Sequence, residues 1–384
     1  MGARSLKQRL EDDIHDFVER PNKNIAILTM PVNRKVHALI NEPEKYARAL
    51  DLVYVSDAQP GIERIKNGKY YSYLFEGKKI EDKAELERIK KLVIPPAWER
   101  VWICPFHNGH LQVTGFDVRQ RKQYRYHSLW NHHRNETKFH RMIEFGKILP
   151  RLRQKVKKDI SKKELTQEKV IAMVISLMEH TFIRIGNNEY EKEYGSYGLT
   201  TMKNKHVKIK GSTLHFSFKG KKGVQHNVTL KNKRLAKLVK ACRDIPGKEL
   251  FSYYDENGVS HPIDSGKVNA YIKEMTGGDF TAKDFRTWAG TLHALRALSK
   301  KQPVENEADL KKNIVEALDE VSRLLGNTRT VCRKYYVNPR IVAMYESNSL
   351  SEFLNQIAAA NNTNGTGKLT GAELILMQLL KAIR

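Results

Sequence analysis

The sequence predicts an α+β protein in which a small β-rich N-terminal domain precedes a mainly α domain that carries a three-stranded antiparallel sheet. Short apolar runs bounded by Gly or Asn turns fill the stretch from Asp51 to about His133. From about Asn135 the apolar period lengthens to that of helices, and within this second stretch three alternating runs follow one another across tight turns.

Residues 1–50 read as a polar helical extension, with Leu10, Ile14 and Phe17 at helical spacing and a break at Pro21. Residues 51–133 form the β-rich domain, with strands expected at Tyr70 to Phe75, Val101 to Ile103, His110 to Thr114 and Gln123 to Tyr126. Residues 134–346 form the mainly α domain. Its run Val170 to Phe182 is apolar enough for a buried helix. Val207 to Ile209, Thr213 to Phe218 and Val224 to Leu230 are the three strands, and the turn from Lys219 to Gly223 crowds lysines at a hairpin tip. Helices are expected over Lys231 to Cys242, Ser265 to Met275, Ala282 to Leu298, Glu307 to Leu325 and Thr330 to Tyr345. Residues 347–384 read as a tail, with a flexible polar linker at Asn361 to Gly367 and a short amphipathic helix from Ala372 to Ile383.

Composition narrows the function class. The 384 residues are 40% hydrophobic and 29% charged, within the range of folded soluble proteins. The 68 Lys and Arg outnumber the 43 Asp and Glu, giving a net charge of +25 that favours a polyanionic partner without choosing among DNA, RNA and a membrane surface. No stretch approaches the roughly 18 apolar residues of a membrane span. The N-terminus has acidic residues where a signal peptide would be apolar, and the three cysteines are odd in number and far apart. A cytoplasmic protein with reduced, structural thiols is expected, at the nucleoid if the source is bacterial.

Several motifs carry possible chemistry. Thr114 to Trp130 interleaves Arg119, Arg121, Lys122 and Arg125 with Tyr124, Tyr126 and Trp130, which suits a nucleic-acid surface: cations meet phosphates while Gln123 or Tyr124 turns toward bases or sugars. A solvated edge strand protected by its charges would read the same way. Cys104, His107 and His110 have i, i+3, i+6 spacing, yet no paired CxxC accompanies them, and phosphate-contacting or surface histidines fit better than zinc. Neither a nucleotide-binding loop nor a carboxylate cluster stands out, so metal-dependent phosphoryl transfer lacks its ligands. What remains is Arg184 in FIRIGNNEY, Lys221 in FKGKKGVQH, Arg286 in KDFRTWAGT and Asn327 through Tyr336 in LGNTRTVCRKYYVNP. A single arginine of this kind is ordinarily structural or solvated.

Taken together and in this order, these strings resemble the catalytic domain of type IB DNA topoisomerases, especially the bacterial and poxvirus-like branch. IPPAW at Ile94 to Trp98, GHLQVTGFD at Gly109 to Asp117 and RKQYRYH at Arg121 to His127 resemble the family's N-terminal DNA-clamping domain. The similarity covers about residues 50–345. It implies a catalytic set of Arg184, Lys221, Arg286, Asn327 and Tyr336, with Asn327 where viral members have histidine. It also implies Tyr336 rather than Tyr335 as nucleophile, because the family's tyrosine lies nine residues beyond the Asn or His position. The implied DNA contacts are Arg119, Arg121, Lys122, Gln123, Tyr124, Tyr126 and Lys205.

The chemistry that follows from the resemblance is attack by tyrosine on a phosphodiester, a 3′-phosphotyrosyl enzyme, a free 5′-hydroxyl and reversal after the duplex has rotated. It needs no ATP, metal or other cofactor. A tyrosine of pKa near 10 must lose its proton, and the charge of the phosphorane must be neutralised. Arg184 and Arg286 would supply forked donors, Asn327 a neutral donor, and Lys221, or its neighbours Lys219 and Lys222, the proton for the leaving oxygen. One catalytic set per chain makes a monomer on double-stranded DNA sufficient. The rivals are a tyrosine recombinase, which usually has His where Lys283 precedes Arg286, and a non-catalytic DNA-binding protein, which leaves the catalytic set unexplained.

Overall fold

In the N-terminal half, the apolar runs pair as a six-stranded antiparallel sheet. The computed structural model describes residues 42–68, 70–118, 120–301, 306–360 and 368–383. Two units divide between Thr137 and Lys138. Of the expected N-terminal helical extension only α1 (Pro43–Ala49) is described; residues 1–41, like the linker 361–367 and Arg119, lie outside the described residues.

The sheet of the first unit runs in the order β3-β2-β1-β4-β5-β6, built from β1 (Ile62–Asn67), β2 (Tyr70–Phe75), β3 (Lys78–Lys79), β4 (Glu99–Ile103), β5 (Leu111–Phe116) and β6 (Lys122–Tyr126). Between β3 and β4 lies α2 (Lys83–Lys91), started by Asp82, whose carboxylate accepts from the amides of Ala84 and Glu85. Ile89 of α2 packs on Ile62, Val101, Ile103 and Val113. β1 and α2 fall outside the sequence expectation for a physical reason. Of the apolar residues of β1, Ile62 is buried while Ile65 is 40% exposed, so the strand lacks a clean alternating face. The Ile94 to Trp98 segment is fixed by Arg64, whose guanidinium donates to the carbonyls of Pro95 and Trp98 at 3.1 and 2.6 Å.

The second unit is organised around α4 (Gln167–Thr181), whose residues Val170 to Ile175, Leu177 and Met178 are buried in one large apolar core. Before it runs α3 (Ser128–Ile160), and after it the short α5 (Asn188–Tyr194). The three-stranded sheet is as expected: β7 (Val207–Lys210), β8 (Thr213–Lys219) and β9 (Gln225–Lys231), in that order, with a 3-10 turn at Lys221–Gly223 as the hairpin tip. α6 (Lys233–Arg243), a two-stranded ribbon of β10 (Ser252–Tyr254) and β11 (Ser260–Pro262), α7 (Ser265–Thr276), α8 (Ala282–Leu298) and α9 (Glu307–Leu325) complete the main body. No helix among the described residues is long and apolar enough to cross a membrane. The three cysteines are buried free thiols.

Two differences from expectation matter. The single helix expected from Thr330 to Tyr345 is two helices, α10 (Arg329–Tyr335) and α11 (Pro339–Glu346). Pro339 cannot continue a helix from upstream, and Asn338 starts α11 by accepting from the Arg340 amide. The stretch after Ser347 is built into the core. It holds α12 (Ser351–Ala359) and α13 (Gly371–Ala382), and Leu376, Leu379 and Leu380 are buried. Glu373 of α13 accepts from the Trp288 indole and is bridged by Arg153, whose positive charge holds the carboxyl below its ordinary range although burial alone would raise it.

Candidate active site

The C-terminal end of α9 gathers the candidate cations. Gly326 ends that helix in the left-handed region (φ 57°), which leaves the last carbonyls without helical partners. Two arginines take them. Arg286 donates one guanidinium nitrogen to Leu325 O at 2.7 Å and another to Phe182 O, while Arg184 donates to Gly326 O at 3.0 Å and to Asn327 Oδ1. Cations at a helix C-terminus also meet the negative end of its dipole. Arg286 projects from α8 and is 5% exposed; Arg184 is half-buried beyond the C-terminus of α4.

Burial and the neighbouring Arg286 push the Arg184 guanidinium down to about 10, which still leaves it protonated at neutral pH. Burial is also the main force lowering Arg286, partly opposed by Tyr336. Both remain charged because a guanidinium is so strong a base. Two donors are held ready: Nε of Arg286 and Nδ2 of Asn327 are buried and have no hydrogen-bond partner among the described residues. Buried polar atoms of this kind call for a missing partner.

Tyr336 stands at the end of α10, after the last residue with helical geometry, so the break at Asn338-Pro339 decides its direction. Its carbonyl accepts from Thr291 Oγ1 at 3.1 Å, and the same hydroxyl accepts from the Asn338 amide at 3.2 Å. Gly290 makes this docking possible: a Cβ there would stand 2.6 Å from Tyr336 O and 2.9 Å from Tyr336 Cβ. The Tyr336 ring faces Arg286, whose guanidinium carbon lies 5.2 Å from the ring centroid. Tyr335 is 37% exposed. Nearby, burial pushes the Cys332 thiol up to about 11, so it stays neutral and does not compete as a nucleophile.

Lys221 is exposed on the hairpin tip, with its ammonium 5.5 Å from the centroid of the Tyr190 ring. Lys138 also belongs to this region. It donates to Tyr335 O and lies 5.7 Å from the Tyr336 ring centroid, and burial together with Lys283 pushes it down to about 7. Sequence reasoning singled out neither Tyr190 nor Lys138. Tyr190 stands inside the FIRIGNNEY string and was within reach; Lys138 has no local signature. Among the described residues no group of three or more His, Cys, Asp or Glu stands close enough to hold a metal ion. His110 instead accepts from the Val55 amide at 3.1 Å, and burial drives its pKa down to about 4.

Comparison with known proteins decides the family. The catalytic core of eukaryotic DNA topoisomerase I matches residues 125–363, and the N-terminal domain of bacterial DNA topoisomerase IB matches residues 70–117. The chain belongs to the type IB DNA topoisomerases. It is 33% identical over 296 residues to the DNA topoisomerase 1B of Acanthamoeba polyphaga mimivirus, covering 75% of this chain and 88% of that one. It is 24% identical over 248 residues to the DNA topoisomerase I of Monkeypox virus, covering 64% and 76%. Among solved structures, a XerH site-specific recombinase bound to palindromic difH substrate matches at a TM-score of 0.32 and 17% identity over 52% of this chain and 51% of that one, too weak a likeness to bear on either reading. The enzyme is thus an isomerase that breaks and rejoins DNA.

The expected DNA contacts of this topoisomerase fall in two places. On β6, Lys122 and Tyr124 are exposed, and Tyr124 stacks on Tyr126 with centroids 6.1 Å apart. Asp117 accepts from Arg121 Nε at 2.7 Å and from Gln123 at 3.0 Å, and Asp57 pairs with Lys122. Arg121, Lys122 and Gln123 are therefore each paired with a carboxylate, although Lys122 keeps an exposed side chain. Lys205 is exposed just ahead of β7 in the second unit.

Proposed function

We propose that the enzyme relaxes supercoiled double-stranded DNA as a monomer, with Tyr336 as nucleophile, Arg184, Arg286 and Asn327 as the phosphate-binding groups and Lys221 as the general acid. The observation that carries this reading is the convergence beside Tyr336: the buried Arg286 guanidinium faces its ring, while Arg286 Nε and Nδ2 of the Arg184-bound Asn327 are buried N–H donors without a partner among the described residues.

Attack by Tyr336 Oη on phosphorus forms the P–Oη bond and breaks the bond from phosphorus to the 5′ oxygen. The phenolic proton passes to solvent water, and the leaving oxygen takes a proton from Lys221 Nζ. Charge that builds on the non-bridging oxygens is met by donors already oriented by α9 carbonyls, so little reorganisation is needed at the moment of reaction. Because the phosphotyrosyl ester conserves the bond energy, resealing needs no nucleotide. The first unit supplies the second function: β6 presents Lys122, Gln123, Tyr124 and Tyr126 to the duplex, with Arg119 and Arg121 ahead of it in sequence, and Lys205 adds a contact from the catalytic unit. The 51–133 and 134–346 regions accordingly act as DNA-holding and catalytic domains. The compartment proposed is the cytoplasm.

The test is relaxation of supercoiled plasmid in EDTA without ATP. The wild-type chain is expected to relax it, while Tyr336→Phe loses at least on the order of 10³-fold in rate and forms no covalent DNA adduct. Tyr335→Phe stays close to wild type. Adduct formation by Tyr336→Phe would remove Tyr336 from the mechanism.

A further inference from the structure

His226 is used by none of the roles assigned above, yet it occupies the seam between the two halves of the site. It lies on β9 opposite Phe218 of β8, and the two rings stack with centroids 5.0 Å apart and planes within 5°. Its edges meet two glycines. A Cβ on Gly220 would fall 2.6 Å from His226 Cδ2 and Nε2, and a Cβ on Gly326 would fall 2.1 Å from His226 Cε1. Gly326 needs to be glycine for its backbone too, at φ 57°; Gly220, at φ −93°, has no such need, so space for the imidazole is its structural requirement.

These two glycines are not arbitrary neighbours. Gly220 immediately precedes Lys221, and its amide closes the hairpin tip on Val224 O at 2.7 Å. Gly326 immediately precedes Asn327, and its carbonyl is a ligand of Arg184. Burial, with Arg184 and Arg286 close by, keeps the ring below its ordinary pKa, so a neutral imidazole packs here without adding a third positive charge to the pair.

We propose that His226 is a positioning residue that wedges the Lys221 hairpin tip against the Gly326-Asn327 turn, so that the proton donor and the phosphate-binding groups are held as one site. The proposal rests on Lys221 being the general acid. It predicts a particular defect. Without the wedge, phosphate binding survives and proton delivery to the leaving oxygen fails, because a misplacement of about 1 Å costs on the order of 10²-fold.

The experiment is single-turnover cleavage of a duplex at a site mapped with the wild-type enzyme, using matched substrates whose 5′ bridging atom is oxygen or sulfur. With sulfur, the P–S bond breaks and a thiolate leaves; a thiol has a pKa near 8.5, so that group departs without a proton donor. On oxygen DNA, His226→Ala is expected to slow cleavage by about 10- to 100-fold, with DNA affinity within about threefold of wild type. On sulfur DNA it should return to within about threefold, as should Lys221→Ala, while Arg184→Ala stays slow on both. Gly220→Ala, which loads the same contact with one methyl group, should reproduce the pattern and serves in place of His226→Ala should that variant lose its cooperative melting transition. If Lys221→Ala recovers on sulfur DNA and the His226 variant does not, the positioning role is overturned. If Lys221→Ala itself fails to recover, the assignment of the general acid falls, and the role of His226 falls with it.

Discussion

Arg286 and Lys221 are assigned to the same reaction, but the fold treats them in opposite ways. Arg286 is buried on a helix that is covered almost all round, and its guanidinium donates to the carbonyls of Phe182 and of Leu325 in α9. Lys221 rides on a 3-10 turn at the tip of an exposed hairpin, next to Lys222 in the left-handed region (φ 62°). One residue is part of the architecture and the other is presented by it. Substitutions should therefore separate stability from chemistry at these two positions.

The largest combined effect is expected at Arg286. Arg286→Ala leaves the carbonyls of Phe182 and the buried Leu325 without this donor, at about 1–3 kcal/mol each, so the melting temperature should drop by roughly 4–12 °C, at about 2 °C per kcal/mol, along with loss of relaxation. Lys221→Ala should lose about 10²- to 10⁴-fold in cleavage rate while melting within about 1 °C of wild type. Thermal melts beside single-turnover cleavage check both, and a large melting shift in Lys221→Ala would break the comparison.

Next in size is Gly290, which lies under Tyr336, the proposed nucleophile. Gly290→Ala places a methyl group 2.6 Å from Tyr336 O, so the Tyr336 backbone must shift off α8. Cleavage should fall by about 10- to 100-fold with DNA affinity nearly unchanged. A variant with wild-type cleavage would show that the tyrosine need not be docked on α8 to react.

The same contrast explains what was legible in the sequence. Strand patterns were plain where polar and apolar positions alternate, as in the β8-β9 hairpin, where every second residue of β8 is buried, and helices were plain where the apolar stripe is long, as in α7, α8 and α9. The proposed site residues Arg184, Lys221, Arg286, Asn327 and Tyr336 rest on family resemblance, since each one alone reads as an ordinary surface or structural side chain. What holds them was not. Leu325 O, Gly326 O and Phe182 O are backbone acceptors, and a carbonyl has no sequence signature. The break after Tyr335 could have been read from Asn338-Pro339, but a continuous apolar period across Val331 to Tyr345 masks it. α13 reads as a modest amphipathic helix, and only its packing on Trp288 shows that it belongs to the core.

A smaller effect is expected at Lys138, half-buried beside Lys283 and Asp284. Its pKa is pushed down to about 7 in the fold, whereas an unfolded lysine titrates near 10.4. Between those values the unfolded chain binds the extra proton. The contribution of this residue to stability therefore rises with pH from about 7 toward 10 and is level below that window. Lys138→Met removes the slope, so the melting temperature of wild type should gain on that of the variant as pH is raised from about 6.5 to 9. Parallel melting curves across that range would mean that the ammonium is solvated.

The smallest effect tests whether the first unit presents its cations as Lys221 is presented or locks them as Arg286 is locked. Lys122 is paired with Asp57, whose carboxylate holds the ammonium's pKa above its ordinary value. To reach a phosphate, the lysine must exchange that carboxylate for the DNA. An exposed pair of this kind is worth only about 0–1 kcal/mol, so the exchange is open to it. If it occurs, Lys122→Ala lowers the slope of log affinity against log salt by about 0.9, the share of one released counterion, and leaves the melting temperature unchanged. If the slope is unaltered, Lys122 stays with Asp57 in the complex, and the carboxylates around β6 serve to shape that strand rather than to hold cations in reserve for DNA.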